Sequence, residues 1–246
     1  SSVFASVTKQ WISTSAFLRF LNFRKVWNYA LLGISFQISR IAGRPILWGN
    51  PTTLSIEPTT SCNLRCPECP SGLRSFTRPT GMLQTELLAE LMKEVGPRLA
   101  YLNLYFQGEP YLHKGMDELV RLGRAHGVYT STSTNAHFIT EDNAEEVVRS
   151  GLDQLIISVD GVTQEVYEQY RVHGDLEKVW RATEALVKAK QKLNSSTPKL
   201  IFQCLAVKPN EHEIPLVFEK AKTLGVDEVR IKSAQLYKYK QGNPLM

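Results

Sequence analysis

Acidic residues are missing from the first fifty positions, where Lys9, Arg19, Arg24, Lys25, Arg40 and Arg44 occur without a single Asp or Glu. That stretch carries +6, so the rest of the chain carries −1 against an overall +5. Basic charge confined to one aromatic-rich segment is not the basic surface stripe of a nucleic-acid-binding domain, and no nucleic-acid partner is expected. Long apolar runs are missing too. The richest, around residues 29–41, is broken by Gln37, Ser39 and Arg40 and is too short and polar to span a bilayer. No clean apolar run is followed by a small-residue cleavage site, so no signal peptide is read. Cysteine is scarce: there are four, three of them within eight residues, unlike the scattered pairs of a secreted disulfide scaffold. A reducing, cytoplasmic setting is expected.

What remains is a chain of 246 residues, 43% hydrophobic, enough to bury the core of one α/β domain with an extension. Between residues 16 and 42, Phe17, Phe20, Leu21, Trp27, Leu31, Ile34 and Ile38 recur three or four apart, the spacing of a helix, which Gly43 and Pro45 end. Two readings of it stay open: a helix packed on the main domain or on another subunit, or a basic amphipathic helix on an anionic membrane surface. The expected division is a basic amphipathic helical segment over 1–50, a core domain over 51–237, and the start of a further C-terminal region over 238–246. Because the chain opens at Ser1 without Met and stops in a polar stretch, a longer parent chain is expected at both ends.

From Thr52 onward, short β-type runs alternate with helical ones, the pattern of repeated βα units and a parallel sheet. Strands are predicted at Thr53–Glu57, Leu102–Phe106, Val128–Thr134, Leu155–Val159, Lys199–Val207 and Val229–Ile231. Six strands fit a partial (β/α)6 barrel of TIM type carrying an N-terminal helical extension, two βα units short of eight. Functional residues of such barrels lie at the C-terminal ends of the strands and in the loops beyond. The first of those loops, 58–81, is long, and long ordered loops in compact domains are usually functional.

That loop holds Cys62, Cys66 and Cys69, spaced four and three apart. Three thiolates can converge there. A closed zinc site would need a fourth ligand from another strand, such as His113 or Cys204, whereas an iron–sulfur cube can take three cysteines and leave one iron open to a small molecule. The Cys-x-x-x-Cys-x-x-Cys string after a first strand resembles the signature of the radical S-adenosylmethionine (radical SAM) superfamily. The wider run from Glu57 to Pro67 is similar to members with a C-terminal SPASM or twitch extension. Glu68 departs from the aromatic residue that many members carry. The resemblance covers roughly residues 52–235.

The resemblance implies a [4Fe–4S] cluster on the three cysteines and S-adenosylmethionine on its open iron. It also implies reductive cleavage to a 5′-deoxyadenosyl radical that abstracts hydrogen from a substrate, which in this branch includes peptides and proteins. An electron donor such as flavodoxin or ferredoxin is implied with it. Gln107-Gly108-Glu109-Pro110 is similar to the family's Gly-Gly-Glu-Pro, which holds the methionyl ammonium; a carboxylate and close backbone suit that donor. Ser133 and Asn135 close the third strand where family members contact carboxylate or ribose. Ser158 and Asp160 share a face by the period of two and can bond ribose or orient a neighbour. Arg171 resembles the family arginine that pairs with the methionyl carboxylate, for which a planar guanidinium is suited. Gln203 is placed toward adenine or ribose, whereas Cys204, on the opposite face of its strand, reads as a core thiol. Asn210-Glu211-His212-Glu213 reads as a helix start. A rival from another class is a non-catalytic metal-binding or membrane-docking module with structural zinc.

Overall fold

The computed structural model describes residues 19–233; the expected helix start at 16–18 and the region 238–246 lie outside them. Helix α1, Phe23–Ala42, begins where the Asn22 side chain accepts from the Lys25 amide at 3.0 Å, and it ends at Gly43 in the left-handed conformation. Its fully buried positions are polar: Lys25, Asn28 and Ser35. Lys25 Nζ donates to the Gly127 carbonyl, and the Asn28 amide exchanges hydrogen bonds of 2.9 and 2.8 Å with the backbone of Asn50. Of the apolar positions that recur along this helix, Trp27 and Ile34 are exposed, while Leu31 and Ile38 are partly sheltered. Among the described residues no helix is long and apolar enough to cross a membrane.

The core is a parallel six-stranded sheet in sequential order: β1 Thr53–Ser55, β2 Tyr101–Asn103, β3 Tyr129–Thr134, β4 Gln154–Ser158, β5 Lys199–Ala206 and β6 Glu228–Ser233. Parallel neighbours need crossovers, and helices supply them: α2 Pro70–Leu73 and α3 Thr85–Val95, then α4 Met116–Ala125, α5 Ala144–Arg149, α6 Gln164–Tyr170 with α7 Leu176–Lys192, and α8 Ile214–Leu224. Among the described residues β1 and β6 pair on one side only, so the expected partial barrel is an open arc rather than a closed one. Strand β2 is shorter than predicted, because the chain leaves the sheet at Leu104 and turns through Gly108 and Pro110.

The sheet separates two environments. Leu102, Leu104, Leu155, Ile157, Leu200 and Phe202 join Leu119, Val120, Val179 and Leu186 of the covering helices in one fully buried core. The concave face is polar by comparison. The register aligns Asn103, Ser131 and Gln154, and Gln154 Nε2 donates to Ser131 Oγ at 3.1 Å. At the N-terminal end of the arc Tyr101 stacks on Tyr129, with centroids 5.5 Å apart, and Phe20 meets Tyr129 edge-on at 5.8 Å. The opposite end, where the strands finish, carries the loops.

Candidate functional site

The three cysteines line one side of that open end. Cys66 is buried, Cys62 and Cys69 are half-buried, and all are free thiols. They pack with Leu64, Tyr170, Val207 and Leu205 in an apolar cluster separate from the main core. The loop is fixed by backbone bonds, Arg65 N to Val172 O at 3.0 Å and Cys69 N to Cys66 O at 3.2 Å. Burial pushes the Cys62 thiol up to about 11, with Glu109 and the other two cysteines adding to the rise. Burial raises Cys66 as well, against the pull of Arg171. Three thiolates this close repel one another and need a cation between them, and in that respect the donor set suits an iron–sulfur group. Among the described residues no three Cys, His, Asp or Glu side chains converge to hold one metal ion. A cube with one thiolate on each of three irons asks for a wider spread than a single ion does. Cys204 lies apart, in the main core on the helix side of β5.

Residues 107–110 sit directly on this loop. Gly108 takes φ 79°, and a Cβ there would lie 2.2 Å from the Thr59 carbonyl oxygen. Its amide donates to Ser71 Oγ at 2.9 Å, and the Glu109 amide donates to the Ser61 carbonyl at 2.8 Å. Gln107 accepts from Cys69 Sγ at 3.4 Å through its side-chain carbonyl. Glu109 is 2% exposed and accepts from Thr134 Oγ1 at 2.6 Å, the Asn135 amide at 2.7 Å and the Tyr111 amide at 3.1 Å. Burial outweighs these donors, so its carboxyl titrates above the ordinary range. A carboxylate offers about four lone-pair positions, so one remains for a cation. Pro110 is buried and opens the short 3-10 turn that aims the carboxylate inward.

Asn135 closes the gap between β3 and the cysteine loop: its Nδ2 donates to Asn63 Oδ1 at 2.8 Å and stands 3.9 Å from Cys62 Sγ. Asp160 is fully buried, accepting from Arg171 Nε at 2.5 Å on one oxygen and from the Leu205 amide at 2.7 Å on the other. Arg171 Nη1 in turn lies 3.8 Å from Cys66 Sγ. Burial opposes the guanidinium charge, but Asp160, Cys66, Tyr167 and Tyr170 together outweigh it and hold Arg171 firmly cationic.

The contacts therefore join the cysteines, Gly108, Glu109, Pro110, Asn135, Asp160 and Arg171 into one assembly. Ser133, Ser158 and Gln203 stand on the adjoining strands without bonding to it. Register puts Ser158 beside Gln203, whose Oε1 is buried with no partner among the described residues. Two residues outside the sequence-based set bind the assembly from behind. Asn210 donates to the carbonyls of Asp160 at 3.1 Å and Leu205 at 2.7 Å. Glu213, 3% exposed, accepts from Val162 N at 2.6 Å and Thr163 Oγ1 at 2.6 Å, fixing the start of the helix that ends at Arg171. Both lie in the run read as a helix start, and their pairing with a loop fifty residues upstream has no local signal.

A family model described as the Radical SAM superfamily matches residues 56–200. The AdoMet-dependent heme synthase of Methanosarcina barkeri is 28% identical over 176 residues, 71% of this chain and 48% of that protein. The PqqA peptide cyclase of Gluconobacter oxydans is 28% identical over 188 residues, 76% of this chain and 50% of that one. The chain thus spans about half the length of these curated relatives. Among solved structures, Streptococcus suis SuiB bound to S-adenosylmethionine superposes with a TM-score of 0.66 over 84% of this chain and 46% of that chain, at 14% identity, a likeness of fold.

Proposed function

Because the chain belongs to the radical SAM superfamily, we propose that it is the core of an enzyme in which Cys62, Cys66 and Cys69 hold a [4Fe–4S] cluster and S-adenosylmethionine binds beside it. When bound, the cluster supplies the single electron that cleaves S-adenosylmethionine to methionine and a 5′-deoxyadenosyl radical, which takes hydrogen from the substrate. The observation that carries the reading is the chain of contacts from thiols to cofactor residues, Cys69 to Gln107 and Cys66 to Arg171 to Asp160. In it Glu109 receives the methionyl ammonium on its remaining lone pair, against the backbone that Gly108 brings close. Arg171, held by Asp160, presents its outer nitrogens to the methionyl carboxylate. Ser133, Ser158, Asn135 and Gln203 face the nucleoside, and the apolar wall of Leu64, Tyr170 and Val207 keeps water from the reacting centre.

The substrate is proposed to be a peptide or protein, because the relatives include a peptide cyclase matched over 76% of this chain. Electrons would come from a small low-potential carrier of the flavodoxin or ferredoxin kind. Anaerobic reconstitution with iron and sulfide tests the cluster. Broad visible absorption that bleaches on reduction is expected, lost in Cys66→Ala and kept in Cys204→Ala; a colourless, zinc-loaded protein would support a structural metal instead. Glu109→Gln removes the charge opposite the ammonium, and loss of one charge-assisted bond should weaken S-adenosylmethionine about ten- to a hundred-fold. Arg171→Lys should weaken it as well, since the fork is lost. Titration followed by the reduced cluster's paramagnetic spectrum reads both, and unchanged affinity in the two variants places the cofactor elsewhere.

A further inference from the structure

The fully buried positions of helix α1 are polar, Lys25, Asn28 and Ser35, with Leu32 half-buried among them, and a line of apolar side chains faces out. Phe23, Trp27, Ala30, Ile34 and Ile41 follow one another at helical spacing along that line, with Gln37 its one polar position. The large members are 81%, 55%, 49% and 88% exposed for Phe23, Trp27, Ile34 and Ile41. Phe23 and Trp27 stack on each other, 6.5 Å between centroids, forming an aromatic ridge at one end; Leu47 and Trp48 are exposed too, on the segment that runs back along the helix from Ser39 to Asn28. A globular domain gains nothing by presenting such a row to water.

The charges beside the row say what covers it. Arg24 and Arg40 each sit one residue, about 100° of helix turn, from a member of the line, so they flank it from either side, and exposed Arg44 follows the helix end. No acidic residue occurs anywhere in the first fifty. Apolar and aromatic side chains in a row, long cationic side chains on both flanks and no anion is the pattern that lies in an anionic lipid interface, with rings at headgroup level and arginines reaching up to phosphates. We propose that α1 seats the protein on an anionic membrane surface.

Position in the fold makes this compatible with the site. Lys25 holds Gly127 and Phe20 meets Tyr129, both at the start of β3, whereas the site begins at the other end of that strand, roughly 17 Å away at 3.3 Å per residue. Docking through α1 therefore leaves the open end facing away from the lipid. The inference stands apart from the proposed chemistry, since it uses no residue of the cysteine assembly.

The test is co-sedimentation of the full chain with phosphatidylcholine vesicles, with and without phosphatidylglycerol. Binding is expected only to the anionic vesicles and should fall steeply with salt. Arg40→Gln with Arg44→Gln should weaken it roughly twenty- to thirty-fold. Phe23→Ser with Ile34→Ser should abolish it, and since both side chains are exposed, the variant should keep the parent's circular dichroism and unfolding midpoint. Equal binding to neutral vesicles, or none to either kind, overturns the proposal. So does a dimer, seen by sedimentation, that the Phe23 and Ile34 substitutions dissolve without any vesicle binding by the parent.

Discussion

Glu109 is buried to 2% exposure among three hydrogen-bond donors, with no directly paired cation among the described residues. Burial lifts its folded pKa above that of a free carboxyl, so over the interval between the two values the folded chain binds more protons than the unfolded one. Stability from this residue is therefore fully present below the unfolded pKa and is lost as pH rises through the folded one. In urea unfolding, the cluster-free parent should lose more stability than Glu109→Gln as pH rises from about 4.3, the free glutamate value. Asp153 and Asp117 are raised by burial too, but they are common to both proteins and cancel in the comparison. Parallel pH profiles for the two would mean that Glu109 is ionised without cost, and that the site is already electrostatically balanced without the ammonium.

The turn between β2 and the short helix after it depends on one position. A Cβ on Gly108 would meet the Thr59 carbonyl oxygen at 2.2 Å and the Ser61 oxygen at 2.9 Å, both backbone atoms of the cysteine loop. Gly108→Ala should cost about 2–4 kcal/mol, combining backbone strain with a displaced loop. Gly127→Ala, also at positive φ but with nothing within 4 Å of the added carbon, should cost only about 1 kcal/mol. Urea midpoints compare the two, and similar losses would show that the Gly108 contact relaxes freely. Elements of this fold were legible in the sequence to the extent that their signals are local. Six strands follow from the alternation of β-type and helical runs, and the cysteine loop from its spacing. The inward and outward sides of α1 were not legible, because periodicity reveals a stripe without saying which way it faces. Nor was the bond between Arg171 and Asp160, or the brackets Asn210 and Glu213, since each depends on chain segments that only the sheet brings together.

Across the whole molecule, stability should grade from the centre of the arc to its edges, and the site straddles that gradient. All five residues of β4 are buried, whereas β1 alternates between exposed and half-buried positions and β6 is half-buried with an exposed end. Amides of β4 and of the middle of β5 should exchange with solvent only by global unfolding, and those of β1 and β6 by smaller openings. The cysteine loop leaves β1, the weak edge, but is tied to central elements through Glu109 to Ser61, Gly108 to Ser71 and Arg65 to Val172. A ligand that engages the loop and the ends of β3 and β4 together should therefore transfer protection outward. With reconstituted protein and S-adenosylmethionine at about a hundred times its dissociation constant, openings that break the site should become about 2.7 kcal/mol costlier, roughly a hundred-fold slower exchange. That slowing should appear in β1 and residues 56–69, and be absent from α1, which grips the start of β3 at the far end. Equal slowing in α1 would mean that the two ends open as one unit, and that lipid at one end and cofactor at the other would each alter the affinity for the other.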